Sequence, residues 1–256
     1  MPFARPRPRP FAAAAALCCV LALSACDAGP TAPTSFAQQV GGRTWVAVTP
    51  PDGLPDARSW MPFVRRTDPA YPRLHELREM EAQARKAGQL EHAAALATVA
   101  ARLAAKSAVS PDPEALLRAQ AALERWEARA AERLAEGAYP GLDSTRAAIH
   151  GLRGQADAAV QRGDTTAAVA DLTEAGEAAR TFAPEAVGLR VLADAEARIA
   201  GAGPPTQGLK RARRLLRAAR EAIATGDCTR AVRRAMYALQ IIDAELAGGA
   251  GEPAGG

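Results

Sequence analysis

Six cationic side chains are concentrated in one short stretch of this 256-residue chain. They are Lys210, Arg211, Arg213, Arg214, Arg217 and Arg220. Between residues 209 and 234 the chain carries nine basic and two acidic residues, or +7, whereas residues 26–208 carry 20 basic and 23 acidic residues, or −3. Because cationic groups at this density attract anions, the stretch predicts contact with phospholipid headgroups, an anionic polymer or an acidic partner. The competing interpretation is a solvated face that pairs with neighbouring carboxylates.

The apolar residues of the same stretch predict the helix that positions these cations. They recur at intervals of three and four, and they are Leu209, Ala212, Leu216, Ala219 and Ile223. This period is typical of an amphipathic helix with one buried seam. The cations must then point outward or sideways from that seam.

Cys26 is the second chemically distinctive residue, and it ends a short apolar run near the N-terminus. Basic residues within 5–9 precede the apolar run 11–23, and Ser24 and Ala25 follow it. A basic segment, an apolar segment of up to about 15 residues and small residues before a cleavage point are typical of a secretory signal peptide. The run is too short to cross a bilayer of about 30 Å as a helix.

The sequence Leu23-Ser24-Ala25-Cys26 resembles the lipobox of bacterial lipoproteins. The resemblance implies that residues 1–25 are removed, that the Cys26 thiol receives a diacylglycerol, and that the new amine is usually acylated. Two or three acyl chains give stable membrane anchoring. We therefore expect a cell-envelope protein that faces the periplasm; the alternative is an ordinary cleaved signal with a chance cysteine.

The membrane that holds this anchor is not fixed by the sequence. Asp27 resembles the signal for retention in the inner membrane of enteric bacteria. Other lineages do not all follow that rule. Both the inner and the outer membrane therefore stay open.

Removal of the signal peptide changes the charge balance of the whole chain. Three of the 32 Lys and Arg leave with it, so 29 remain against 28 Asp and Glu, or about +1. The compartment and the lack of aromatic residues among the arginines further disfavour nucleic acid as a ligand.

Removal of the signal peptide also leaves only Cys26 and Cys228 of the four cysteines. With Cys26 acylated, no internal disulfide is available. We expect Cys228 to be a small buried residue.

The sequence contains no recognisable catalytic or metal-binding motif. His75, His92 and His150 do not share the i, i+4 spacing of a helical metal site. A Gly-x-Ser-x-Gly nucleophile motif is missing, and no glycine-rich segment has the context of a phosphate loop. We therefore predict a protein that is not an enzyme and that uses no metal or cofactor.

Composition divides the mature chain into four segments. We predict a flexible tether over 26–42, an extended Pro-rich and aromatic arm over 43–72, a helical domain over 73–247 and a disordered Gly-rich tail over 248–256. The arm, with the residues just before it, contributes Phe36, Trp45, Trp60, Phe63 and Tyr71. We expect the arm to lie on the helical body, with one short strand within 43–49. Two roles stay open for it: covering an Ala/Leu seam of its own chain, or binding a partner.

Glycine and proline breaks divide the helical domain into about eight helices. Similar segments recur at offsets of 68 and 69 residues, as in Ala70-Tyr71-Pro72 and Ala138-Tyr139-Pro140. We predict two three-helix units, 70–137 and 138–203, and a final two-helix unit, 206–247. The first helix of the second unit should be about two turns longer than its counterpart, and a later segment should be shorter.

One turn type recurs between paired helices. Its three copies are Gly88-Gln89 with Ala93, Gly163-Asp164 with Ala168, and Gly226-Asp227 with Ala231. Glycine can take the left-handed position that ends a helix, the next residue can cap the following helix, and alanine lets the two helices approach closely. This turn resembles the inter-helix turn of tetratricopeptide repeats, although the period differs and a third helix intervenes. The chain is thus expected to be an all-α array of antiparallel helical hairpins, either TPR-like or an irregular bundle.

Two functions fit these features. The first is a lipid-anchored scaffold or interaction module, whose helical array presents a groove to a protein or peptide of the cell envelope. The second is a binder of anionic envelope ligands that uses the basic helix within 209–220.

Overall fold

A computed structural model describes residues 36–40 and 43–249 of the chain. Cys26, the predicted signal peptide and residues 250–256 lie outside the described residues. The lipobox and most of the predicted tail are therefore not addressed by the structure.

The described residues form two short strands, one single-turn helix and eight longer helices. The N-terminal elements are β1 (Phe36–Val40), β2 (Arg43–Ala47), α1 (Ala57–Trp60) and a 3-10 turn (Met61–Phe63). The long helices are α2 (Ala70–Lys86), α3 (Leu90–Ser107), α4 (Pro113–Glu136), α5 (Pro140–Gln161), α6 (Thr165–Arg180), α7 (Pro184–Ala200), α8 (Gln207–Ala224) and α9 (Cys228–Gly249). This confirms the prediction of an all-α helical array.

Three antiparallel helical hairpins organise the array. They are α2–α3, α5–α6 and α8–α9, while α4 packs on α5 and α6, and α7 packs on α8 and α9. Helix α5 has 22 residues against 17 in α2, and α7 has 17 against 24 in α4. The predicted longer first helix and shorter later helix are therefore present, but the predicted three-helix grouping is wrong, because α4 and α7 each pack on the hairpin that follows them in the chain and not on the hairpin that precedes them.

The recurring turn has the predicted conformation in all three hairpins. Gly88, Gly163 and Gly226 have φ values of +73°, +76° and +83°, the left-handed region that favours glycine. The side chain of Asp164 accepts a hydrogen bond from the backbone N–H of Ala167 at 3.0 Å, and Asp227 accepts one from Arg230 at 3.1 Å. In each turn the alanine five residues after the glycine is buried.

Three predicted boundaries need correction. Residues 36–40, assigned to the flexible tether, form β1, which pairs antiparallel with β2. The helical domain begins at Ala70 rather than 73, because Pro72 lies in the first turn of α2, where its missing N–H would have no partner in the helix. Helix α9 extends to Gly249, two residues into the predicted tail.

Strand β2 lies between two hydrophobic clusters. The first is built mainly from α2 to α6, and the second mainly from α7 to α9. Successive side chains of a strand point to opposite faces. Accordingly Val46 and, just beyond the strand, Val48 enter the first cluster, whereas Trp45 and Ala47 enter the second.

The aromatic arm packs on its own chain. Trp60 is completely buried, and its indole N–H donates a 2.8 Å hydrogen bond to the hydroxyl of Thr173 in α6. That hydroxyl donates in turn to the carbonyl of Val169 at 2.7 Å. Of the two roles considered for the arm, the structure shows the internal one, in which the arm covers an alanine-rich seam.

Arginine side chains hydrogen-bond to the backbone of this arm. Arg125 donates to the carbonyl of Asp52 at 3.0 Å, Arg129 to that of Thr49 at 2.8 Å, and Arg180 to that of Leu54 at 2.7 Å. An irregular segment has no ladder of its own to satisfy its polar groups. The arginines of α4 and α6 supply the missing donors.

Gly176 of α6 marks the closest approach between the arm and the helices. A Cβ atom at this position would lie 2.6 Å from the backbone oxygen of Pro55. We expect Gly176→Ala to lower the free energy of unfolding by about 1–3 kcal/mol, the usual cost of overpacking. Urea denaturation of the variant measures this loss.

Gly151 of α5 provides the matched control. A Cβ atom there would meet nothing within 4 Å, so Gly151→Ala should gain up to ~1 kcal/mol from helix propensity. Equal stability changes in the two variants would contradict the close packing of the arm on α6.

Candidate functional site

A cleft of about 550 Å³ opens between the arm, the α2–α3 hairpin, and the junction of α6 and α7. We call it the alanine cleft. Its small side chains are Ala57, Ala94, Ala97, Ala101, Ala183 and Ala186. Its charged side chains are Asp56, Arg58, Arg78, Glu81, Arg85, Glu177, Arg180 and Glu185. The cleft thus combines a lining of methyl groups with walls that carry both signs of charge.

Most of the carboxylates of the alanine cleft already have cationic partners. Glu185 accepts a hydrogen bond from Arg85 at 2.5 Å, which links α7 to α2. Glu81 lies 3.7 Å from the same guanidinium group. Glu177 accepts three hydrogen bonds from Arg102 of α3, at 2.7, 2.9 and 3.1 Å. The Arg85–Glu185 pair thus connects α2 to α7, and the Arg102–Glu177 pair connects α3 to α6.

Arg180 joins the alanine cleft to the arm. Besides its bond to the carbonyl of Leu54, it lies 4.0 Å from the carboxylate of Asp56. Burial lowers the pKa of this guanidinium group, and the nearby charges of Asp56 and Glu177 oppose the shift. Since an arginine pKa starts far above neutrality, the group keeps its positive charge.

Arg58 and Arg78 differ from the other cations of the alanine cleft. Neither forms an ion pair with a carboxylate among residues 36–40 and 43–249. Arg78 contacts the sulfur of Met61 at 3.4 Å, and Arg58 is exposed. The cleft therefore has two guanidinium groups available for an anion.

The six cations predicted from the sequence form three groups in the structure. Lys210, Arg213, Arg214 and Arg217 lie on the outward face of α8, and together with Gln207 they line a shallow depression of about 310 Å³. We call these four residues the α8 cationic face. The seam residues predicted for this helix, from Leu209 to Ile223, are all buried on the opposite side.

The other two cations point sideways to neighbouring helices. The guanidinium group of Arg211 lies 5.1 Å from the ring centroid of Tyr237 in α9. Arg220 donates two hydrogen bonds, at 2.6 and 2.8 Å, to the carboxylate of Glu196 in α7. These hydrogen bonds raise the pKa of Arg220. Arg220 therefore pairs with a neighbouring carboxylate, as the competing interpretation of the basic stretch predicted. The four residues of the α8 cationic face do not.

The three histidines remain apart in the structure. His150 lies 3.3 Å from a carboxylate oxygen of Glu127, and His75 contacts the ring of Tyr71. Within the described ranges no three His, Cys, Asp or Glu side chains are placed to share a metal ion. The helices of these ranges also include none that is long and apolar enough to cross a membrane.

Cys228 begins α9 close to the charged pair of Arg85 and Glu185. The sequence predicted a buried residue, but the thiol is only half-buried. Burial raises the pKa of the thiol, the negative charge of Glu185 raises it further, and Arg85 partly offsets both effects. The thiol is therefore protonated near neutral pH and is a weak nucleophile there.

Sequence reasoning missed the alanine cleft. Its lining comes from the arm and from four helices, so its residues are not adjacent in the chain and no local motif links them. The available signal was the alanine-rich sequence that follows Gly88, which includes Ala94, Ala97 and Ala101 of the lining. The fold and the cleft together define this protein as an all-α array of helical hairpins, on which an N-terminal arm packs. No protein-family model, curated protein or solved structure matches the chain.

The raised pKa of Cys228 gives a testable pH dependence. The folded chain holds the thiol proton more tightly, so the contribution of Cys228 to stability is present below the thiol pKa of the unfolded chain and is lost at more alkaline pH. The midpoint of Cys228 alkylation against pH, followed by peptide mass spectrometry, should lie higher in the folded than in the urea-unfolded chain. Glu185→Gln should lower the folded midpoint. Identical midpoints in both states would contradict this environment.

Proposed function

We propose that the chain is a lipid-anchored protein of the bacterial cell envelope whose helical array is an interaction module. The alanine cleft is its docking site. The occupant is an extended segment of another envelope protein that presents at least one carboxylate.

The observation that supports this proposal most strongly is the lining of the alanine cleft. Its volume of about 550 Å³ falls within the range of roughly 300–1,000 Å³ typical of binding pockets. Alanine side chains leave space for the main chain and small side chains of an extended segment. Polar groups on the walls can satisfy the backbone of that segment, which a purely apolar groove cannot do.

The pairing of charges in the cleft favours a carboxylate on the occupant. Glu177 pairs with Arg102, and Glu81 and Glu185 share the guanidinium group of Arg85. Arg58 and Arg78 have no carboxylate partner among the described residues. Because a guanidinium group recognises carboxylates through two parallel hydrogen bonds, these two arginines select an acidic side chain or a C-terminal carboxylate.

A photo-crosslinking residue tests the docking site. We expect benzoylphenylalanine in place of the exposed Ala94, inside the cleft, to capture one recurrent envelope protein in living cells. The same residue in place of Val160, which is 40% exposed and lies outside the cleft, should not capture it. Arg58→Gln with Arg78→Gln should reduce capture about tenfold, which corresponds to ~1.4 kcal/mol of binding energy.

Arg65→Gln with Arg66→Gln is the matched control, because it removes two exposed charges from the same arm without altering the lining of the cleft. It should leave capture unchanged. Equal capture from both crosslinking positions, or capture that does not depend on Arg58 and Arg78, would rule out the cleft as the docking site.

The lipid anchor is tested separately. Cells grown with a radiolabelled fatty acid should incorporate the label into the chain, and Cys26→Ala should abolish incorporation, because the thiol that accepts the diacylglycerol is gone. Cys228→Ala is the matched control and should keep the label and the membrane fractionation of the unaltered chain. Label that persists after Cys26→Ala would overturn the anchor.

A further inference from the structure

The α8 cationic face carries four cations that pair with no carboxylate of the described residues. Lys210, Arg213, Arg214 and Arg217 are exposed, and none forms an ion pair within the described part of the chain. Glu221, one turn after Arg217, is the acidic residue nearest to them along α8 and pairs with none of them. Four like charges at this spacing repel one another, so an anion held among them relieves the repulsion.

The geometry of α8 directs these charges away from the domain. Positions 210, 213, 214 and 217 follow the helical spacing of three and four, so they lie side by side on one face. The opposite side of α8 contains the buried seam from Leu209 to Ile223. The face is therefore exposed to solvent on the side of α8 opposite its packed seam, where an anionic surface can reach it.

The depression between these side chains suits phosphate groups. It measures about 310 Å³ and extends from Gln207, the first residue of α8, to Arg217. The first turn of α8 itself already faces the carboxylate of Glu245, which lies against Gly208. The attraction for a phosphate therefore comes from the four cationic side chains and not from the end of the helix.

We propose that the α8 cationic face docks on the phosphate headgroups of an anionic phospholipid bilayer. This inference rests on the membrane anchor of the proposed function. The ten steps of chain from Cys26 to Phe36 span at most about 36 Å, because a chain extends by no more than ~3.6 Å per residue. An anchored domain that begins at Phe36 therefore stays close to the headgroups, so a weak attraction per charge is sufficient to orient it.

The chain contains an internal probe for this docking. Its three lysines are Lys86, Lys106 and Lys210. All three are exposed in the structure, and only Lys210 belongs to the α8 cationic face. An amine-reactive, membrane-impermeant reagent, read by peptide mass spectrometry, therefore measures Lys210 against two controls in the same molecule.

The experiment uses the full chain, isolated from cell membranes and reconstituted into vesicles. In vesicles of zwitterionic phosphatidylcholine, the three lysines should react at the rates set by their exposure. In vesicles that also contain phosphatidylglycerol, labelling of Lys210 should fall about fivefold relative to Lys86 and Lys106. Added salt should restore it, because salt screens the attraction. Equal ratios in both kinds of vesicle would overturn the proposal.

A variant pair separates the face from the overall charge of the chain. Arg213→Gln, Arg214→Gln and Arg217→Gln together should abolish the protection of Lys210. Arg65→Gln, Arg66→Gln and Arg162→Gln remove the same charge from exposed positions elsewhere and should preserve it. Protection that survives the first triple variant would contradict the proposal.

Two further outcomes distinguish this inference from its alternatives. Soluble polyphosphate, added to zwitterionic vesicles at the same phosphate concentration, should leave Lys210 reactive. Equal protection by polyphosphate would assign the face to a polymer instead of a membrane.

Vesicle flotation of the same samples tests the lipid anchor independently. An anchored chain floats with both kinds of vesicle, so loss of flotation identifies failure of the anchor, whereas flotation without Lys210 protection identifies failure of the docking face.

Discussion

The burial of Trp60 among alanine-rich helices is the interaction on which the rest of the structure depends. Helices lined with alanine approach closely, but they offer little apolar surface, so a large side chain must fill the space that remains between them. The arm supplies that side chain, and Thr173 accepts its indole N–H within the core. The absence of a side chain at Gly176 then follows, because the chain that leads into Trp60 passes directly over that position. The arm is part of the core and not an addition to it.

The same arrangement accounts for the alanine cleft. Arg180 holds the arm by its Leu54 carbonyl and faces the Asp56 carboxylate at the cleft wall. Asp56 also caps α1, where its side chain accepts a hydrogen bond from the N–H of Ser59 at 3.0 Å. The position of Arg58 within α1 is therefore fixed by contacts that stabilise the fold. The proposed binding role thus uses residues whose placement the core has already determined.

Local features were predictable from the sequence, whereas features that join distant segments were not. The three inter-helix turns were predicted from Gly88, Gly163 and Gly226, because the left-handed conformation depends only on a residue and its neighbours in the chain. Strand β1 was missed, since its stability comes from pairing with β2 and not from its own Gln-rich sequence. The α8 helix was predicted with its seam, but the partner of Arg220 lies 24 residues earlier in α7. The alanine cleft could not be predicted for the same reason, because it forms only when the arm and four helices come together.

The alternation of side chains in β2 has a consequence for how the array responds to stress. In repeat proteins each unit contacts its neighbours alone, so such arrays can lose structure progressively from one end. Here Trp45 and Ala47 belong to one cluster, and Val46 and Val48 belong to the other. The segment from Trp45 to Val48 thus packs into both clusters, so loss of structure in one cluster removes support from residues that also pack in the other. We therefore expect the two halves of the array to unfold together and not one after the other.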